Sequence, residues 1–442
     1  MNKEMFFRIL NSEMELATGC TEPGAIALTA AYAGKELEKL GDTVCSIKVL
    51  ASVNIIKNAM AAGIPGTDYT GIPYAAAIGF FAADPDKQLE VINNVSDEVY
   101  RKAEQLVNGE NVSVSLADVP NKLYIDVTAH GNKHTVQAVI ADLHTNLTLI
   151  KIDGETVFSA DAAADHQDSA DTVSPEEIAD FLTVEKIFNF CDKELDPEND
   201  PIDIIRQAVE VNSRICDEGV KHKYGLAIAH ILERNCREGV MTRDMTTNSM
   251  IITAAGADAR MAGAPFSVVT NSGSGNQGIT STMPVVAMAD WRYLPEDKML
   301  RAVTMSNLIT IRIKSRFGRL SAMCGASVAA TGASCGIVYL LGGGYQEICN
   351  TIHNMIGNVT GMLCDGAKAD CALKISSCTN AAFQAAFMAI RGVRVKHTDG
   401  IVEHSVERTI DNFAILGNEG SVPMDAAILR MMLNKEPGDV CQ

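Results

Sequence analysis

The pattern of apolar residues changes character once along this chain, and that change limits the architectures open to it. Between Val44 and Ile152, short runs alternate apolar with polar residues and are broken by turn signals such as His130-Gly131-Asn132 and Asp153-Gly154. That is the period-two signature of strands. From Ser174 to about residue 436 the spacing is helical and almost no convincing strand occurs. The sequence therefore predicts an α+β protein: a large all-helical domain with an inserted α+β module containing an antiparallel sheet. A chain of 442 residues also exceeds one typical core. The expected divisions are 1–42, N-terminal helices packing on the helical domain; 43–160, the α+β module; and 170–442, the helical domain.

Local signals fill in this outline. Phe6, Phe7, Leu10 and Met14 mark a first helix over 3–16. After a turn through Thr18–Gly24, Thr21 or Glu22 can cap a second helix, with Pro23 in its first turn, running to about Leu40. A strand is expected over 44–54, then a polar, glycine-bearing segment, Lys57–Thr67. Helices at 72–82 and 95–107 and strands at 112–116, 122–129, 135–143 and 147–152 follow. Residues 160–173 are small and acidic, a linker. Ser174-Pro175-Glu176-Glu177 then has a serine cap, a first-turn proline and a capping-box glutamate.

Composition excludes several classes of function. A net charge of −18 repels phosphate backbones and anionic lipid surfaces, so neither nucleic acid nor a membrane is an expected partner. The N-terminal Met-Asn-Lys-Glu-Met-Phe-Phe-Arg has no apolar signal region. The most apolar run, Gly336–Gly344, is too short to span a bilayer. A cytoplasmic protein is expected, and there its 12 cysteines read as thiols, metal ligands or reactive groups rather than disulfides.

Cys324-Gly325 and Cys364-Asp365-Gly366-Ala367-Lys368 place cysteines at glycine-flanked breaks among small apolar residues. Cys364, Cys371 and Cys378 recur every seven residues. On one helix that step is roughly 10.5 Å along the axis, too far for all three to share a metal centre. The spacing of Cys324 and Cys364 matches no zinc or ferredoxin pattern. Cys20 sits at a helix N-terminus, where the dipole favours a thiolate, and equally reads as a buried turn cysteine. Asn271-Ser272-Gly273-Ser274-Gly275-Asn276-Gln277-Gly278 contains a literal G-x-G-x-x-G, but Phe266–Thr270 makes a poor strand and no βαβ unit surrounds it. A glycine-rich break between helices, facing a small anion, suits it better. Lys57, Lys368 and Lys374 lie in the unusual segments and are candidates for acid–base work.

Taken in order, Gly19-Cys20-Thr21-Glu22-Pro23, Lys57-Asn58-Ala59-Met60 with Gly63-Ile64-Pro65-Gly66-Thr67, the 272–278 loop, Cys324-Gly325 and Cys364–Lys368 resemble the L-cysteine desulfidase family, related to the alpha chain of iron–sulfur L-serine dehydratases. The likeness spans nearly the whole chain. It implies a lyase with an oxygen-sensitive 4Fe-4S cluster held by three cysteines and one iron open to substrate. The matching positions are Cys20, Cys324 and Cys364. The implied reaction converts L-cysteine and water to pyruvate, ammonia and hydrogen sulfide. The carboxylate of that small amino acid would sit among Asn58, Asn271, Ser272, Gly273, Ser274, Gly275 and Asn276.

Two departures from the dehydratase pattern matter. A histidine-bearing motif of those enzymes is replaced here by Cys20-Thr21-Glu22, so the catalytic base falls to Lys57, with Glu22 behind it. Their third cysteine follows the position of Cys364 at a longer spacing than Cys371 does, which favours Cys20. Cys441, one residue from the end, reads as part of a frayed tail. The alternatives are an L-serine dehydratase with the same cluster and a cluster-free protein that binds a small amino acid. A nicotinamide enzyme rests on the glycine motif alone, and a homodimer stays open.

Overall fold

The computed structural model describes residues 3–18, 21–67, 69–93, 95–121, 123–160, 173–317 and 323–434. The expected linker at 160–173 falls almost wholly outside them. In chain order the first elements are α1 (Lys3–Glu13), β1 (Leu16–Thr18), α2 (Thr21–Lys39), β2 (Val44–Ala51), α3 (Val53–Ala59), α4 (Ile72–Ala82) and α5 (Asp97–Asn108). Strands β3 (Val112–Leu116), β4 (Tyr124–Gly131), β5 (Thr135–Ala141), β6 (Leu147–Ile152) and β7 (Glu155–Ser159) come next. The helical half opens with α6 (Pro175–Phe181), α7 (Val184–Asn189), α8 (Asp203–Lys221), α9 (Ile228–Arg237) and α10 (Met245–Met261). It continues through β8 (Ser267–Val269), α11 (Gly275–Trp291), α12 (Glu296–Phe317) and α13 (Gly325–Leu340). It closes with α14 (Tyr345–Val359), α15 (Cys371–Ile390), α16 (Val406–Ile415) and α17 (Ser421–Leu433).

The α+β class predicted from the patterning is the one observed. The sheet runs β3-β2-β4-β5-β6-β7. Its pairs are antiparallel except β2 with β3, which are parallel and joined by the crossover through α3, α4 and α5. The sheet is therefore mixed. Two elements escape the periodicity argument. Residues 53–54, expected to end the strand over 44–54, instead open α3 (53–59), and β7 is a short edge strand with a mostly exposed face. The start at Ser174 forms as its residues predict: Ser174 Oγ accepts from the Glu177 amide at 3.2 Å, and Glu177 Oε2 accepts from the Ser174 amide at 2.9 Å.

Two large hydrophobic cores result, beside a small cluster of Ala229, Ile251 and Ala255. One gathers α2, α4 and the inner face of the sheet, with Ile26, Leu28, Val49, Ile78 and Val127 fully buried. The other gathers the helical half, and α1 belongs to it: Phe6 stacks on Phe190 with ring centroids 4.1 Å apart. Residues 1–42 thus divide between the two cores. In the helical core, small residues let backbones approach closely. A Cβ at Gly332 of α13 would overlap the Ser306 carbonyl and the Thr310 hydroxyl of α12, so this pair packs only because position 332 has no side chain.

A second, two-stranded sheet pairs β1 with β8 antiparallel, Leu16 opposite Val269. The Phe266–Thr270 segment is thus a short strand after all, followed by a loop and a helix. Its partner is an N-terminal strand running the other way, so no parallel βαβ unit forms around the glycine motif. The pairing instead brings the start of α2 beside the loop that opens α11: the Thr270 amide donates to the Glu15 carbonyl at 2.8 Å and the Ser272 amide to Glu13 at 2.7 Å.

Candidate active site

Where the two cores meet, a cavity of about 890 Å³, counting its open mouth, is lined from both sides. The sheet side supplies Thr21 and Glu22 of α2 and Asn54, Lys57 and Asn58 of α3. The helical side supplies Ser272–Ser274, Asn276 and Gln277 at the start of α11, Cys324–Ala326 at the start of α13, and Cys364 and Cys371 before and at the start of α15. The N-terminal ends of α2, α11, α13 and α15 therefore all reach the cavity wall. Each presents backbone N–H groups and the positive end of its dipole, which suits a small anion such as a carboxylate. Ser272 and Gly273 both adopt left-handed backbone, φ 48° and 77°. For serine that conformation costs roughly 1 kcal/mol or more, and it turns the loop sharply into the cavity.

The cysteine segments are joined by backbone. Met323 and Leu363 form an antiparallel bridge, and the Cys324 amide donates to the Met362 carbonyl at 2.9 Å. Cys324 occupies the N-cap position of α13 and its side chain makes no capping bond. Burial pushes the Cys324 thiol up, and the neighbouring Cys364 adds to the shift. Cys371 is raised chiefly by burial, and Cys378, fully buried on α15, is pushed up to about 12 by the same cause. None of Cys324, Cys364, Cys371 and Cys378 is in a disulfide. Among the described residues no three His, Cys, Asp or Glu side chains are gathered closely enough to hold a metal ion. Cys324 and Cys364 are two thiols on one wall of the cavity. Cys20 lies outside the described residues, directly before the wall residues Thr21 and Glu22. Cys441 also lies outside them.

The charged groups are ordered by specific partners. Lys57 is buried, and its Nζ lies 2.5 Å from Asp425 Oδ1 on α17. Asn58 Nδ2 donates to Glu22 Oε1 at 3.0 Å, and Thr21 Oγ1 donates to Glu22 Oε2 at 3.1 Å. Arg260 of α10, also buried, donates from Nη1 to Asn276 Oδ1 at 3.3 Å. Lys314 of α12 completes the basic wall.

Most residues singled out in the sequence meet here. Glu22, Lys57, Asn58, Ser272, Gly273, Ser274, Asn276, Cys324 and Cys364 all line the cavity. Asn271 and Gly275 do not. Asn271 is fully buried and its Nδ2 donates to Asn307 Oδ1 at 3.0 Å, a contact that ties the loop to α12. Gly275 lies against the Arg260 guanidinium, which a Cβ there would overlap. Sequence reasoning missed Arg260, Gln277, Lys314 and Asp425. Arg260 had a signal: it is a lone cation in the small-residue run Ala254–Ala264, and buried arginine is rare unless it is used. Asp425 had none, being 368 residues from its partner.

A cavity walled by helix N-termini, thiols and buried cations, set in an α+β chain, defines a small-molecule site of the kind enzymes use. Residues 86–430 match the family model of the serine dehydratase alpha chain. The chain is similar to a UPF0597 protein of Oleidesulfovibrio alaskensis, 41% identical over 432 residues covering 98% of each chain. A UPF0597 protein of Porphyromonas gingivalis is 39% identical over 437 residues, covering 98% of this chain and 99% of its own. The chain belongs to the serine dehydratase alpha chain family, and is a serine dehydratase-like protein of lyase type. Among the described residues no helix is long and apolar enough to cross a membrane.

Proposed function

We propose that this protein is a carbon–sulfur lyase that converts L-cysteine and water to pyruvate, ammonia and hydrogen sulfide. Cys20, Cys324 and Cys364 would hold a 4Fe-4S cluster. Bound there, that group would supply a Lewis-acidic iron to the departing sulfur. The observation that carries the reading is the meeting of Cys324 and Cys364 with ionisable Glu22 and Lys57 in one cavity fed by four helix N-termini.

The chain's own residues divide the remaining work. The Gly273 and Asn276 amides and the Asn58 side chain would bind the substrate carboxylate, helped by the dipoles of α2 and α11. Arg260 would keep Asn276 in place for this. Glu22, oriented by Asn58 and Thr21, would take the Cα proton. Lys57 is the first expectation for the base, but its Nζ is paired with Asp425. In that pair it would instead deliver a proton from Nζ to the leaving group. The apolar side chains of Ile375 and Met323 in the lining would limit water at the reacting carbon. A second reading, L-serine dehydration in the same site, is favoured by the name of the matching family model.

The test is anaerobic loading with iron and sulfide, followed by parallel assays of sulfide and pyruvate from L-cysteine and L-serine. Stoichiometric sulfide and pyruvate from L-cysteine, exceeding pyruvate from L-serine in kcat/KM, is the expected result. Preference for L-serine would select the second reading, and no turnover of either would overturn both.

A further inference from the structure

Lys374 lies one turn into α15 and reaches back over the turn that carries Cys364. Its ammonium donates to the Leu363 carbonyl at 3.2 Å and to Asp365 Oδ1. These are the residues immediately before and after Cys364. Lys368 also reaches Asp365, at its carboxylate and, at 3.3 Å, its carbonyl, but it touches nothing on the other side of the cysteine. The Asp365 carboxylate is thus shared by both lysines. Leu363 in turn pairs with Met323, next to Cys324. At Gly366 the turn closes with φ 103°, in contact with the Lys57 carbonyl.

From these contacts we propose that Lys374 is a positioning residue, clamping the backbone on both sides of Cys364 so that its thiol stays beside Cys324. An exposed lysine–carboxylate pair would contribute little. Here the same ammonium also holds a main-chain carbonyl, so the two contacts together fix the direction of the thiol between them. Partners that orient a metal ligand typically change affinity by about 10- to 100-fold when removed, because an unconstrained ligand must be ordered on binding. The inference rests on reading Cys364 as a ligand, but the clamp is a property of the chain alone.

The experiment separates the two. Lys374→Met, Lys374→Arg and Lys368→Met are prepared anaerobically beside the unaltered protein. In iron-free protein, maleimide labelling of Cys364 is followed by peptide mass spectrometry, with exposed Cys45 as internal reference. In iron- and sulfide-loaded protein, iron retained against a chelator is measured. Lys374→Met should speed labelling of Cys364 several-fold and lower iron retention by about 10-fold or more. Lys374→Arg, which keeps charge and donors, should restore both, and it keeps the test readable if the methionine variant does not fold. Lys368→Met should change both far less. Unchanged labelling in Lys374→Met, or an equal effect from Lys368→Met, overturns the clamp. Faster labelling in a protein that retains no iron even when unaltered leaves the clamp standing and removes Cys364 as a ligand.

Discussion

The two ends of one helix make the most useful comparison in this molecule. At its N-terminus α13 presents Cys324 to the cavity, in a cap position that makes no side-chain bond and beside a second cysteine segment. Further along the same helix Cys335 is fully buried, its Sγ 3.4 Å from the Thr331 carbonyl, its thiol raised by burial. Near Cys335, Gly332 packs backbone against backbone with α12. The same contrast holds on α15, where Cys371 lines the cavity and Cys378 sits in the core, its Sγ 3.3 Å from Met362 Sδ. Helix bodies here are close-packed structure, and helix mouths are where chemistry collects. Residue type does not separate the cysteines; position on the helix does.

The sharpest way to break this comparison is to exchange the cysteines for serine one at a time. Cys324→Ser or Cys364→Ser should reduce lyase turnover to background with the fold intact by circular dichroism. Cys335→Ser should keep turnover per folded molecule and cost about 1 kcal/mol of stability, read from a denaturation midpoint. Next in size is Lys57→Met, which should lower kcat by about 100-fold or more if the lysine carries a proton. Its partner variant Asp425→Asn leaves a buried ammonium unpaired and should destabilise the protein by about 3 kcal/mol. Within a helix body, Gly332→Val should cost roughly 1–3 kcal/mol by overpacking, with kcat of the folded fraction unchanged.

A further expected effect is a pH dependence from the body of α14. Burial lowers His353 to about 4 from an ordinary value of 6.5, with nearby Arg394 adding to the shift, and its Nδ1 lies 3.1 Å from Thr409 Oγ1. Its pKa is lower in the folded state than in the unfolded one, so the unfolded state binds more protons between these values. Stability should therefore fall as pH drops from about 6.5 towards 4. His353→Gln should flatten that slope in denaturant midpoints measured across the same range, without altering the cavity.

The sequence made the layout of the fold legible because periodicity is local. The strands β2 to β6, the helices at 72–82 and 97–108, and the cap at Ser174 all follow from residues within one element. The register of β1 with β8 was not legible, since three-residue strands 250 residues apart carry no periodicity. Yet that pairing sets the 272–274 loop beside α2. The site was legible in part. Glycine-flanked Cys324 and Cys364 stood out as breaks, and Lys57 and Asn58 as the start of a polar, glycine-bearing segment. Arg260, Lys314 and Asp425 did not, because only the folded chain brings α10 and α12 to the cavity and α17 to Lys57. The reverse failure is Asn271, whose polar side chain read as a substrate contact and instead braces the loop against Asn307.

The central claim is that helix mouths, and not helix bodies, hold an iron–sulfur lyase site. Its most direct test is the iron and acid-labile sulfide content, with the visible absorption, of anaerobically loaded protein carrying Cys324→Ser or Cys335→Ser. The account predicts that the unaltered protein and Cys335→Ser are brown with about four irons per chain, as a 4Fe-4S group requires, while Cys324→Ser loses both colour and iron. Full iron in Cys324→Ser, or its loss in a folded Cys335→Ser, would contradict it.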